Sequence, residues 1–242
     1  MKPTTLNLRN LNLKRRNKNL LNSAITNSSF LPLNNLKPLA STNNQSLKFF
    51  DYNEIKNYIG ELSYNNISIN GFLFECVRDT SNKLPVVAYI GDIEGKDYFA
   101  FDATNLDIPI DKSCTYVEAR SLLGLLSDVH MQILNRSRSI LDWNLRNKFD
   151  NQSGRPLFSC WAGYKKACTS ALSTDVNVIS YKDLNNNNYP RTDPVIITAV
   201  LSPSKDRILL GRNKKYPNGM YLNYSLMNSF IEDIILQVCF HV

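Results

Sequence analysis

The sequence predicts a mixed α/β chain, and three patterns predict it. Residues 84–90 (LPVVAYI) and 98–103 (YFAFDA) are short apolar runs flanking a polar turn with two glycines, Gly91 and Gly95. Residues 195–201 (VIITAVL) and 207–212 (RILLGR) flank a second turn, Ser202-Pro203-Ser204-Lys205-Asp206. Each pair is a β-hairpin signature. Between them, from 117 to 147, Val117, Leu122, Leu125, Leu126, Val129, Ile133, Leu134, Ile140, Leu141 and Leu145 recur at spacings of three and four. That spacing lays an apolar stripe along one or two helices.

Residues 1–48 contain no Asp or Glu, while Lys2, Arg9, Lys14, Arg15, Arg16, Lys18, Lys37 and Lys48 are basic. Asn, Ser and Leu fill the rest without a sustained period, so an Asn-rich, disordered extension is expected. An acid-free, Arg- and Ser-bearing start also has the composition of a mitochondrial transit peptide. Only residues 30–41 look structured. Residues 72–77 (FLFECV) read as a strand. Residues 149–188 are polar, broken by Gly154, Pro156 and Gly163, and end in Asn185-Asn186-Asn187-Asn188. A short hairpin over 158–168, turning at Ala162-Gly163, is expected there, with loop elsewhere. Pro190 and Pro194 lead into the 195–201 run, and Lys214, Lys215 and a Pro-Asn-Gly turn follow the second hairpin. A basic loop in that place suits phosphates. Ile231, Ile234, Ile235, Val238, Cys239 and Val242 make one helix face, although their β-branching leaves a strand open.

The totals set bounds. At 242 residues and 43% hydrophobic content the chain can build a real core. A net charge of +7 suits anionic ligands or nucleic acid without demonstrating either. No apolar run reaches the roughly 20 residues of a membrane span, so no membrane is expected among the partners. Five scattered cysteines with no C-x-x-C pair give neither a disulfide framework nor a four-cysteine zinc site. His130 and His241 are the only histidines. His130 reads as structural, and no Ser-His-Asp or Cys-His arrangement follows from spacing.

A collinear set of motifs carries a resemblance: residues 118–123 (EARSLL), 135–143 (NRSRSILDW), 147–149 (NKF), 189–194 (YPRTDP) and 207–212 (RILLGR). In order and spacing over roughly 70–221 the chain resembles the fungal NADH pyrophosphatases of the Nudix hydrolase superfamily. The resemblance implies an N-terminal α/β domain at 49–147, a zinc-ribbon segment at 148–188 and a Nudix α/β/α sandwich from 189 to 242. It implies hydrolysis of the NAD(H) pyrophosphate to nicotinamide mononucleotide and AMP, and for some members removal of NAD caps from RNA. Mg or Mn and Zn are the implied metals, NAD(H) the implied ligand, homodimers the usual state, and peroxisomes a frequent compartment. Arg120 and Tyr189 fall on positions that would touch the dinucleotide.

The chain departs from that pattern at both metal sites. Where the ribbon begins Phe-Cys-x-x-Cys-Gly, this sequence has Phe149-Asp150-Asn151-Gln152-Ser153-Gly154. Asp150 and Ser153 thus replace two ligands, Cys168 keeps the third, and the fourth has no counterpart. One thiolate is not a structural zinc site. The Nudix glutamate positions fall on Val238, His241 and Val242, and the only acids after Pro194 are Asp206, Glu232 and Asp233. The sandwich reads as incomplete and the enzyme as inactive. The alternatives are a non-catalytic partner of an intact paralogue through the N-terminal domain, and a basic RNA-binding protein. The chain ends Phe240-His241-Val242, unlike a peroxisomal tripeptide, which leaves mitochondria or cytosol open.

Overall fold

The computed structural model describes residues 6–42, 46–62, 64–69, 72–78, 84–169, 184–191, 200–212, 222–223 and 235–237. The chain divides into two units, Met1–Pro190 and Arg191–Val242. The mixed α/β class is the one observed.

In the first unit, β1 (Ser29–Asn34) is central. It runs parallel to β7 (Lys96–Asp102), with Phe30 opposite Phe99. On its other side it pairs with β3 (Phe50–Asp51) at Ser29 and Phe30, and with β2 (Lys37–Ser41) at Leu33 and Asn34. Pro32 falls between those two partners, where its missing N–H costs no ladder bond. The sheet is completed by β6 (Val87–Ile93) and β8 (Cys114–Tyr116), in the order β6-β7-β1-β2-β8. The expected 84–103 hairpin is the antiparallel β6–β7 pair. Phe30 stacks on Phe99 at 5.0 Å and Tyr89 tilts against Phe99 at 5.1 Å.

Helices cover this sheet. The α3 helix (Tyr52–Ile59) buries Ile55 and Ile59 and opens with an Asp51–Glu54 capping box. The α4 helix (Asp128–Arg146) buries Ile133, Leu134, Ile140 and Leu141, and Ser127 Oγ caps it by accepting from His130 N–H. The expected helical stretch from 117 therefore starts late. Residues Ala119–Leu122 form a 3₁₀ turn, and Gly124 at φ +78° breaks the chain before Ser127. His130 is structural: its Nδ1 accepts from Leu47 N–H at 3.3 Å, its ring lies 5.5 Å from that of Phe49, and burial lowers its pKa.

The N-terminal stretch corrects the expectation of disorder. Residues Leu8–Lys14 form α1 and Lys18–Ile25 form α2, and Leu11, Leu21, Ala24 and Ile25 are buried. The asparagines that suggested disorder are structural parts. Asn7 and Asn17 are helix N-caps. Asn22 accepts from Tyr64 N–H at 3.0 Å and donates to Tyr64 C=O at 3.1 Å, as a strand neighbour would.

A second sheet has the order β11-β10-β9-β5-β4. Its strands are β4 (Tyr64–Ile69), β5 (Phe72–Arg78), β9 (Leu157–Cys160), β10 (Lys165–Thr169) and β11 (Leu184–Asn188). The expected strand at 72–77 is β5, and the expected 158–168 hairpin is β9–β10. The Asn run, expected as loop, is instead the edge strand β11, paired with β10 through backbone groups that do not depend on side-chain type.

The second unit contains the expected turn: Leu201 bridges Ile208, and Leu209 N–H donates to Val200 C=O at 2.9 Å. A small sheet, β13-β12-β14, joins Leu222–Asn223, Leu210–Arg212 and Ile235–Gln237. Ile235–Gln237 is a strand, not the helix expected at 231–242; β-branched Ile235 suits it. Residues 192–199, Lys214, Lys215, Glu232, Asp233, Val238, Cys239, His241 and Val242 lie outside the described residues.

Candidate functional site

The ribbon hairpin is the first place to look for chemistry, and its knuckle is held by hydrogen bonds. Asp150 is buried, and its Oδ2 accepts from both Ser153 N–H and Ser153 Oγ–H at 2.7 Å. Gly154 N–H closes the turn onto Asp150 C=O at 2.8 Å. The two positions where cysteine ligands were missing are thus brought together and tied to each other. Cys168 lies on β10, and its side chain is outside the described residues. Cys160 is fully buried. Among the described residues no group of three or more His, Cys, Asp or Glu side chains is placed to hold a metal ion.

A cavity of about 610 Å³ opens where the end of α4 and the ribbon meet the sheet. That volume suits a small organic ligand. Its polar lining includes Asp102, Asn144, Lys148, Ser159 and Lys166. Asp102 is committed to Thr104, whose N–H it accepts at 3.1 Å. Asn144 is buried and donates to Ile140 C=O and Gly163 C=O, both at 2.8 Å. Lys166 Nζ donates to Asn144 C=O at 2.6 Å and to Asn147 C=O. These are carbonyls at the C-terminal end of α4, where a cation is favourable. Burial first, then the nearby Lys148 charge, lowers the Lys166 pKa to about 8. The cavity lining, with Lys148, Lys166, Asn144 and Ser159, offers donors to an anionic ligand.

Arg120 sits exposed on the 3₁₀ turn, and neither it nor Tyr189 lines the cavity. Tyr189 is half exposed and its ring lies 5.7 Å from that of Trp161. Trp161 lies within the expected 158–168 hairpin. It gathers cations: Arg16 lies 4.2 Å over its ring, Lys165 5.1 Å and Arg15 5.7 Å. Arg15 also lies 5.0 Å over Tyr164. The available signal was the Arg15-Arg16 pair and the WAGYKK run, but no spacing rule joins positions so far apart.

In the second unit Asp206 is a turn residue. Ser202 Oγ donates to its Oδ1 at 2.7 Å and Ser204 Oγ donates to the same atom, which lowers its pKa.

Residues 27–143 match the NADH pyrophosphatase-like rudimentary NUDIX domain. Over 236 residues, covering 88% of the chain, the sequence is 30% identical to the "NAD-capped RNA hydrolase" of Schizosaccharomyces pombe. Both likenesses are to the NADH pyrophosphatase branch of the Nudix superfamily. The chain is also 26% identical to the NAD-capped RNA hydrolase NPY1 of Saccharomyces cerevisiae, over 84% of its own length. It is 33% identical to the human NAD-capped RNA hydrolase NUDT12 over 44% of its length. The matches cover 61%, 58% and 21% of those relatives, so the chain spans less than two thirds of their length. The rudimentary Nudix domain contains β1 to α3, the β6–β7 hairpin and most of α4, the frame on which the cavity is built. No helix among the described residues is long and apolar enough to cross a membrane.

Proposed function

We propose that this chain recognises the NAD pyrophosphate group, free or as the 5′ cap of an RNA, and that these 242 residues do not hydrolyse it. The observation that carries the ligand class is the collinear likeness, over 88% of the chain, to a protein named for NAD-capped RNA hydrolysis. The cavity supports it with room for one nucleotide half and with the Lys148 and Lys166 ammonium groups in its lining.

The carboxylate count argues against turnover. Pyrophosphate hydrolysis in this superfamily needs divalent ions, held by clustered carboxylates, to neutralise the phosphates and orient water. After Pro194 the chain offers Asp206, Glu232 and Asp233. Asp206 is occupied by two serine hydroxyls, and Glu232 and Asp233 are adjacent in sequence, not spaced as a cluster. Losing one electrostatic partner of a transition state commonly costs about 100–1,000-fold, and here the cluster is missing.

The test incubates purified chain with NADH and Mg²⁺ or Mn²⁺, following AMP release and thermal stabilisation together. The expected result is NADH-dependent stabilisation with AMP at the level of a protein-free blank. AMP release above the blank sinks the inactive reading, and a melting curve that ignores NADH sinks the ligand assignment.

A further inference from the structure

We propose that the first unit carries a separate ledge for single-stranded RNA, formed by Arg15 and Arg16 at the end of α1, Arg136 on α4, Trp161 of the ribbon hairpin, and Tyr189 after β11. The proposal rests on the RNA part of the reading above. It assigns the body of the RNA, rather than the cap, to a place outside the cavity.

Charge is the first observation. Lys14 pairs with Asp97 at 2.6 Å, Lys37 with Glu118 at 2.7 Å and Arg146 with Asp142 at 2.8 Å. Arg15, Arg16 and Arg136 form no ion pair among the described residues. They crowd one another instead. Desolvation, then Arg16, with Arg136 adding to it, lowers the Arg15 pKa, and Arg15 Nε is buried without a hydrogen-bond partner. Like charges gathered without a counter-ion raise the free energy of the folded chain, and an anion placed among them lowers it.

The aromatic frame is the second observation. The indole of Trp161 holds Arg16 at 4.2 Å and Lys165 at 5.1 Å by cation–π attraction. To do so, Trp161 and Ala162 both adopt left-handed backbone, at φ +53° and +51°. Asn and Gly fill such turn positions without that strain. A backbone that holds a bulky indole there, against local preference, marks a placed side chain. Beside it Tyr189 leaves half its surface open, with its ring 5.7 Å from the indole and tilted by 48°.

Cations set for phosphates next to an open aromatic face are what a single strand requires, because every base has a face to stack and every nucleotide a phosphate. A duplex hides its base faces, and the vesicle arm of the test below separates an anionic lipid surface from RNA. Arg15 and Arg16 also lie outside the 27–143 domain match, so the ledge gives the first two helices a task beyond packing.

Fluorescence anisotropy with a 5′-monophosphate single-stranded RNA of about 20 nucleotides, over a series of salt concentrations, tests the assignment. The intact chain is expected to bind, with log K falling linearly against log salt at a slope of about −0.7 per phosphate engaged. Arg16→Glu should weaken binding tenfold or more and make the slope shallower. Tyr189→Ala should weaken it by about fivefold to a hundredfold with the slope unchanged. Both side chains are exposed, so melting curves of the variants should match that of the parent. Lys37→Gln, away from the ledge, should bind as the parent does. Unchanged binding in both ledge variants overturns the proposal. So does equal affinity for a duplex, or binding to phosphatidylserine vesicles without binding to RNA. Repeating the series with NAD-capped RNA separates the two readings. No preference for the cap in the intact chain defeats the NAD assignment and leaves the ledge standing.

Discussion

Lys166 shows how much one buried side chain can reveal. The residue is 5% exposed, and its ammonium donates to two carbonyls at the end of α4 and meets no carboxylate among the described residues. Its pKa falls from 10.5 to about 8 in the folded chain. Between those values the unfolded chain binds the proton and the folded one does not, so stability rises with pH. Tyr89 and Tyr164 work in the opposite sense, because burial raises their pKa above the ordinary 10, and Tyr89 also donates to Asp97 at 2.6 Å. Their contribution is lost as pH rises above 10. Urea unfolding should therefore show stability climbing from about pH 8 to pH 10, and Lys166→Met should flatten that climb. A parent curve flat over this window would refute the assignment. Three residues earlier, Gly163 has φ +99°, and an added Cβ would lie 2.8 Å from Ala88 Cβ on β6. Gly163→Ala should cost about 1–3 kcal/mol, read from urea midpoints. Adding Ala88→Gly should recover the steric part only, leaving the cost of the left-handed backbone.

At the scale of elements, what was legible in the sequence was what periodicity and turn residues specify. The 84–103 hairpin, the strand at 72–77, the 158–168 hairpin and the turn before Arg207 all carry apolar runs bounded by turn residues, and all are present. The N-terminal helices were illegible because composition was weighed over position: Asn7, Asn17 and Asn22 cap helices and pair a strand edge, roles a count of asparagines does not show. The Asn185–Asn188 strand was missed for a related reason, since ladder bonds belong to the backbone. The ledge was illegible because its parts, Arg15, Arg136 and Trp161, meet only in the fold. Two expectations follow for these elements. Leu21 has no exposed surface, so Leu21→Ala should cost about 2–5 kcal/mol, where a disordered extension would register nothing. The ribbon knuckle is tied by Asp150 and Ser153, so a chelator such as EDTA should leave the melting temperature unchanged. Asp150→Ala should lower stability by about 0.5–1.5 kcal/mol through the loss of its hydrogen bonds from Ser153. A chelator-induced fall in melting temperature would mean that a metal holds the turn instead.

For the whole molecule, the distribution of burial decides which part folds by itself. Every buried apolar side chain among the described residues lies between Leu11 and Ala167, all inside the first unit. In the second unit, Val200 and Leu201 are 40% and 52% exposed. The first unit also holds the cavity, the ribbon knuckle and the ledge. A chain cut after Pro190 should thus keep a cooperative melting transition, because no buried apolar residue among the described residues is removed and no sheet of the first unit loses a described strand. Limited proteolysis of the intact chain should accumulate a fragment ending near that point. The fragment should bind single-stranded RNA with the affinity and salt slope of the parent, since the proposed contacts all precede residue 190. A fragment that melts without cooperativity would place essential core contacts beyond Pro190. One that folds but loses RNA would move the RNA-binding surface to the basic stretch around Lys214 and Lys215.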